Sequence, residues 1–139
     1  MEIQEALRIG YLQAMVGNVS VPVYSEGSIP ESVTGNYVII SSFTGDQRFT
    51  DSCKVFEVTQ MVDIVTQSKS PSGYGSANAI ANLVEGIINP DNRQDIDLTA
   101  YGYKIGNTFT IQTTNTNLKE DTNYIYRIIK RYRHIISKQ

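Results

Sequence analysis

Between Cys53 and Gln67 the chain alternates in character. One parity holds Phe56, Val58, Val62 and Ile64, broken only by Gln60; the other mixes Val55, Thr59, Met61 and Val65 with Glu57 and Asp63. A period of two with one apolar and one mixed side predicts a long β-strand, buried on one face and partly wet on the other. Residues 68–75 are rich in Ser, Gly and Pro, and beyond them the period changes. Ala77, Ile80, Ala81, Val84, Ile87 and Ile88 fall at i, i+3, i+4, i+7, i+10 and i+11, one stripe of an amphipathic helix. Ser76 is a plausible cap for it, and Asn89-Pro90 ends it. The strand face and the helix stripe each need an apolar partner.

The flanking segments divide in the same way. Ile3, Leu7, Leu12, Met15 and Val16 repeat at helical spacing, and Gly17-Asn18 supplies a stop, which predicts a helix over 2–16. Residues 21–24 carry Pro22 and suit a short edge strand. Residues 25–34 read as an irregular loop. Tyr37-Val38-Ile39-Ile40 is rich in β-branched and aromatic residues and predicts a strand. Residues 44–51 separate it from the long strand, as a hairpin connection or a projecting arm. Residues 98–116 are thick with Thr, Tyr and Ile, and Gly106-Asn107 predicts a bulge or tight turn within an extended stretch. Residues 115–121 read as a turn. In residues 122–137, Ile125, Ile128, Ile129, Tyr132, Ile135 and Ile136 match a helical stripe, while the Ile and Tyr content favours a strand. Pattern alone leaves both open.

At 139 residues the chain fits one domain, 1–139, with enough residues to bury a core. The 40% hydrophobic and 19% charged residues fit a folded soluble protein. The single cysteine excludes an internal disulfide framework and fits a reducing cytoplasm. No run approaches the length of a membrane helix, and no signal peptide opens the chain. The net charge of −2 hides a split: residues 1–121 hold seven Lys/Arg against all fourteen Asp/Glu, and residues 122–139 hold five Lys/Arg and no acid. A basic end of this kind could meet nucleic acid, with Tyr124, Tyr126 and Tyr132 as stacking partners, or an acidic neighbouring protein.

No catalytic, cofactor or metal set emerges from the residue types. His134 is the one histidine, so a zinc-type ligand set cannot be assembled. Glu57 and Asp63 stand six residues apart, about 20 Å along a strand, too far for a two-carboxylate pair. Asp91, Asp95 and Asp97 lack the glycine and glutamate of a calcium loop. The Ser/Gly-rich segment before the second helix lacks the Gly-Lys-Ser/Thr ending of a phosphate loop.

The order of elements carries a resemblance. An N-terminal helix precedes Val23-Tyr24, a Gly/Pro loop and the strand Tyr37-Val38-Ile39-Ile40. The long strand ending in Thr66-Gln67 follows, then a helix spaced Ala77-x-x-Ile80-Ala81-x-x-Val84, and a last segment ending Tyr126-Arg127-x-x-x-Arg131-Tyr132-Arg133. Over nearly its whole length the chain resembles bacteriophage tail-terminator and tail-completion proteins of the head–tail junction, through spacing and character rather than a diagnostic signature. The resemblance implies an α+β fold, a mainly antiparallel sheet of about four strands with two helices on one face, and a strand over 122–137. It implies a non-enzymatic virion protein, made in the host cytoplasm, that assembles with itself into a ring of about six. The ring would cap the tail tube protein and meet a neck or connector protein, with DNA passing through its channel. A head-closure or adaptor protein of the same neck is the nearest alternative. Expected contact residues are Asp46, Gln47, Arg48 and Phe49 in the first loop, Glu57, Met61 and Asp63 on the long strand, Tyr74, and Arg127, Lys130, Arg131 and Arg133 at the basic end.

Overall fold

A computed structural model describes residues 2–30, 35–41, 55–69, 74–91, 94, 96–120 and 123–139. Expectations for residues 44–51, Asp46 to Phe49 among them, and for most of the loop before the second helix fall outside these.

The alternating stretch is a fourteen-residue strand, β3 (Val55–Ser68), about 45 Å long at the usual rise. Its even positions Phe56, Val58, Val62 and Ile64 are all buried. They face two helices, α1 (Ile3–Met15) and α2 (Tyr74–Ile88), and share one apolar cluster with Leu7, Met15, Ala77, Ile80, Val84 and Ile88. Gln60, the polar break in the row, is also buried; its side-chain amide donates to the carbonyls of Ser41 and Met61. An amide in that position would be costly without those acceptors.

β3 is the centre of a five-stranded sheet ordered β1-β2-β3-β5-β4. The outer members are β1 (Val23–Ser25), β2 (Tyr37–Ile40), β4 (Tyr103–Glu120) and β5 (Asn123–Lys138). The fold is α+β with a mostly antiparallel sheet, and the sheet has one strand more than the four expected. The short edge strand expected over 21–24 is present as β1, which pairs in parallel with β2 through Val23↔Val38, Tyr24↔Ile39 and Ser25↔Ile40.

Residues 123–138 are a strand despite their helical periodicity. β5 runs antiparallel to β3 from Val55↔Ser137 to Ser68↔Tyr124, and to β4 on its other side. Burial alternates along it: Tyr126, Ile128, Tyr132, His134 and Ile136 are buried on the helix side, while Ile125, Ile129 and Ile135 are half-buried on the other face, and isoleucines on both faces produce the helix-like stripe. β4 also runs further than expected. Residues 115–120, read as a turn, continue the ladder against β5 to Glu120↔Asn123, since threonines at 113, 114 and 116 suit a pleated surface. The bulge expected at Gly106 is present as a register shift between Ile105 and Asn107, and a second shift lies between Thr110 and Gln112.

The helix ends follow from local chemistry. α1 stops at Gly17, whose φ of 84° is the left-handed conformation that glycine adopts without strain. Asn18 turns back to donate to the Ala14 carbonyl at 2.9 Å. α2 begins at Tyr74, so Ser76 lies inside its first turn rather than at the cap, and Asn89 N–H still bonds the Glu85 carbonyl at its far end. No helix among the described residues is long and apolar enough to cross a membrane.

Candidate assembly face

The two faces of the sheet hold different kinds of polar group. On the helix side the titratable ones join closed networks, although the buried Thr66 hydroxyl has no hydrogen-bond partner. Glu85 of α2 accepts from Tyr132 Oη at 2.6 Å and from Thr110 Oγ1 at 2.6 Å, and Lys130 Nζ lies 3.6 Å away. Burial and the adjacent Glu85 carboxylate push the Tyr132 phenol well above its ordinary pKa. A second network joins Tyr11 Oη to His134 Nε2, His134 Nδ1 to Thr108 Oγ1 at 2.8 Å, and Gln94 Nε2 to the same threonine at 3.0 Å. Burial lowers His134 from 6.5 to about 4, so its ring is neutral, with one donor and one acceptor nitrogen for two hydroxyl partners. Gln94 of the second network also borders a small cleft. The cleft, of about 270 Å³, lies between the 94–99 segment and the start of β4. The carboxylate at its mouth, Asp97, is committed to the backbone and hydroxyl of Thr99. No group of three or more His, Cys, Asp or Glu side chains among the described residues could hold a metal ion.

The opposite face is built from the odd positions of β3 and β5. Register sets Thr59 beside Arg133, Met61 beside Arg131, Asp63 beside Ile129 and Val65 beside Arg127. The long arginines then reach diagonally to the carboxylates two residues away, a distance their side chains can span. Arg127 Nη2 meets Asp63 Oδ2 at 2.6 Å, and Arg133 Nη1 meets Glu57 Oε1 at 3.5 Å. Arg133 also lies over the Phe109 ring of β4, 5.3 Å from its centroid. Arg131, between the other two, has Met61 Sδ at 3.7 Å from Nη2 as its contact.

This face is neither core nor ordinary surface. Thr59, Asp63 and Val65 are buried on it, although both helices lie on the other side. Asp63 Oδ1, Arg131 Nε and Arg133 Nε are shut away from solvent with no hydrogen-bond partner. Phe109, Ile111 and Leu118 of β4 are exposed, at 43%, 43% and 59%. Half-satisfied charges beside uncovered apolar side chains suit a surface completed by contact with another protein.

Of the residues expected from the sequence, Glu57, Met61, Asp63, Arg127, Arg131 and Arg133 come together here. Lys130 does not, since its parity turns it to the helix side and Glu85. Tyr74 opens α2, and its side chain lies outside what is described. The basic end was expected to seek acid on a neighbour, but two of its three arginines on this face find it in β3. Phe109 was not foreseen. Its place opposite Arg133 depends on the bulge at Gly106, which resets the parity of β4.

No protein-family model matches the chain, and no curated protein matches it in sequence. Among solved structures, the fold is similar to that of a chain in the structure named "Virion of native gene transfer agent (GTA) particle". The TM-score is 0.62 at 14% sequence identity, over 96% of this chain and 94% of that one. At that identity the likeness is one of fold, over nearly the whole length of both chains.

Proposed function

We propose that the chain is a structural protein of a phage-like virion, and within it the ring that terminates the tail tube at the head–tail junction. The observation that carries the reading is the partly buried, partly charged sheet face. A stable domain of this size does not leave two buried guanidinium nitrogens and a carboxylate oxygen without partners unless something else meets them. End-to-end likeness of fold to a chain of a gene transfer agent virion supports an assembly role over a catalytic one. So does the network chemistry of the helix side, where each titratable group is engaged by its own neighbours.

A head-to-tail contact repeated around an axis closes into a ring when the rotation permits, and a ring at a tail end leaves a channel for DNA. The tail tube protein on one side and a neck or connector protein on the other are the further partners of this reading. Phosphate binding by the basic strand is the weaker alternative, because Asp63 and Glu57 already neutralise Arg127 and Arg133. Electron microscopy of the assembled particle is the test. The chain should form one closed ring, of about six copies on the family resemblance, at the head-proximal end of the tail. A single copy, or copies spread along the tube, would refute the terminator role.

A further inference from the structure

β4 leaves one edge of the sheet open. It ends the strand order and, at eighteen residues, is longer than the other four strands, yet no strand among the described residues pairs with its outer side. Edge strands are usually blunted by charge, by proline or by shortness, because a free row of backbone donors and acceptors is a template for another strand. β1, at the opposite edge, is three residues long and follows Pro22. β4 uses none of these devices over its outer length. Residues 105–118 contain no charged side chain and no proline. The hydroxyls of Thr108 and Thr110 turn inward to His134 and Glu85, and residues 111–118 are exposed apart from the half-buried Thr114.

The register matches this stretch to itself. Phe109 stands beside Arg133 and Leu118 beside Ile125, positions of one parity on β5. The shift between Thr110 and Gln112 thus sets an odd and an even residue of β4 on the same face, and both are exposed. Thr114, beside Ile129, lies midway between them along the ladder. A two-fold axis at Thr114, with a second β4 running antiparallel, sets Thr114 beside its own copy and Gln112 beside Thr116. It also brings Phe109 of each strand to Leu118 of the other. Such pairs contribute across a sheet, and no like charges meet. Pairing with β1 of another copy would cover three residues and leave both apolar side chains open. A charged partner strand would find no opposite charge along residues 105–118. Pairing also stops at two, because the outer edges of the joined sheet are then the short, proline-flanked β1 strands.

We infer that β4 pairs with β4 of a second copy of this chain about a two-fold axis at Thr114, joining two five-stranded sheets into one of ten. This goes beyond the ring reading and does not rest on it. A ring whose copies all face one way contains no such axis, so the pair is a state of the free chain that ring assembly replaces.

Sedimentation velocity over a concentration series, together with disulfide trapping in a Cys53→Ser background, tests it. The wild-type chain should pass from monomer to dimer as concentration rises, with little dependence on salt, because no ion pair forms. Thr114→Cys should oxidise to a covalent dimer, since directly opposite residues stand about 4.5–5.5 Å apart at Cα, within a disulfide's reach. Gln112→Cys and Thr116→Cys should cross-link when mixed and far less when alone. Gln112→Lys/Thr116→Lys sets two pairs of like charges opposite each other and should weaken the dimer about tenfold, as should Gln112→Glu/Thr116→Glu. Mixing the lysine and glutamate chains should restore it. Unchanged melting temperatures would show that the variants keep their fold, and should one fail to fold, the trapping pattern alone decides. A wild-type chain that stays monomeric throughout overturns the inference. So does a dimer that Thr114→Cys does not trap, or a folded lysine variant that dimerises as the wild type does.

Discussion

His134 should make this fold acid-sensitive above the range where carboxylates alone would act. It is buried between Tyr11 and Thr108, and its pKa falls from an ordinary 6.5 to about 4 because burial disfavours the charged ring. A base whose folded pKa lies below its unfolded value binds protons more readily when unfolded. Its stabilisation is therefore fully present above pH 6.5 and is lost as pH falls through that value toward 4. At about 1.4 kcal/mol per pH unit the loss reaches about 2 kcal/mol by pH 5 and about 3 kcal/mol by pH 4, a large share of a small domain's stability. Urea unfolding followed by circular dichroism across this range measures it. His134→Gln keeps a donor and an acceptor near the two hydroxyls but cannot titrate, and Glu5 and Asp97, whose pKa values are also shifted, are common to both proteins. The wild type should lose about 2 kcal/mol more than the variant between pH 7 and 5. As the one histidine of the chain, His134 gives a single imidazole resonance, which should titrate near pH 4. Parallel stability curves, or a midpoint near 6.5, would refute the burial argument.

Two further substitutions probe the packing. A Cβ added at Gly10 would stand 2.7 Å from Leu98 Cδ2 and 2.8 Å from Ile96 Cγ2, both in buried side chains. Gly10→Ala gains about 1 kcal/mol of helix propensity against about 1–3 kcal/mol of overpacking, so calorimetry should give a lower Tm, and a higher one would show that the 96–98 segment yields freely. Tyr132→Phe deletes the donor to Glu85 but leaves Thr110 and Lys130 beside the carboxylate. It should lower stability by about 1–2 kcal/mol in urea unfolding, and an unchanged midpoint would mean that the Tyr132–Glu85 bond contributes nothing net.

The elements themselves were legible wherever one face of a segment is buried and the other is not. β3 and α2 announced themselves by switching period, and the even row of β3 does pack on the stripe of α2. Legibility failed where apolar residues lie on both faces of a strand or on neither. β5 carries isoleucines on both faces, buried on the helix side and half-buried on the other, so its composition hid the alternation that its burial keeps, and the family resemblance rather than periodicity assigned it correctly. The distal half of β4 is exposed nearly throughout, so no apolar rhythm separated strand from turn over residues 115–120. β1 lies at the sheet edge over 23–25, close to the short edge strand expected over 21–24, but its parallel pairing with β2 has no local signal.

The candidate face was half legible for a related reason. Which residues share a face follows from parity within one strand, so Glu57, Met61 and Asp63 could be grouped, as could Arg127, Arg131 and Arg133. Lys130 was grouped with them by charge, against its parity, and the structure turns it to the helices. How the two rows meet is a matter of register between strands some seventy residues apart, which neither row contains. That register decides the chemistry. It sets Arg127 and Arg133 diagonal to carboxylates and Arg131 directly beside Met61. A shift of two residues, which would preserve every buried side chain's facing, would place Arg131 beside Asp63 or Thr59 instead and remove the unpaired cation. The vacancy at Arg131 is thus a consequence of one pairing among several that satisfy the same hydrophobic pattern. It is also the one that leaves Arg131 Nε buried without a hydrogen-bond partner.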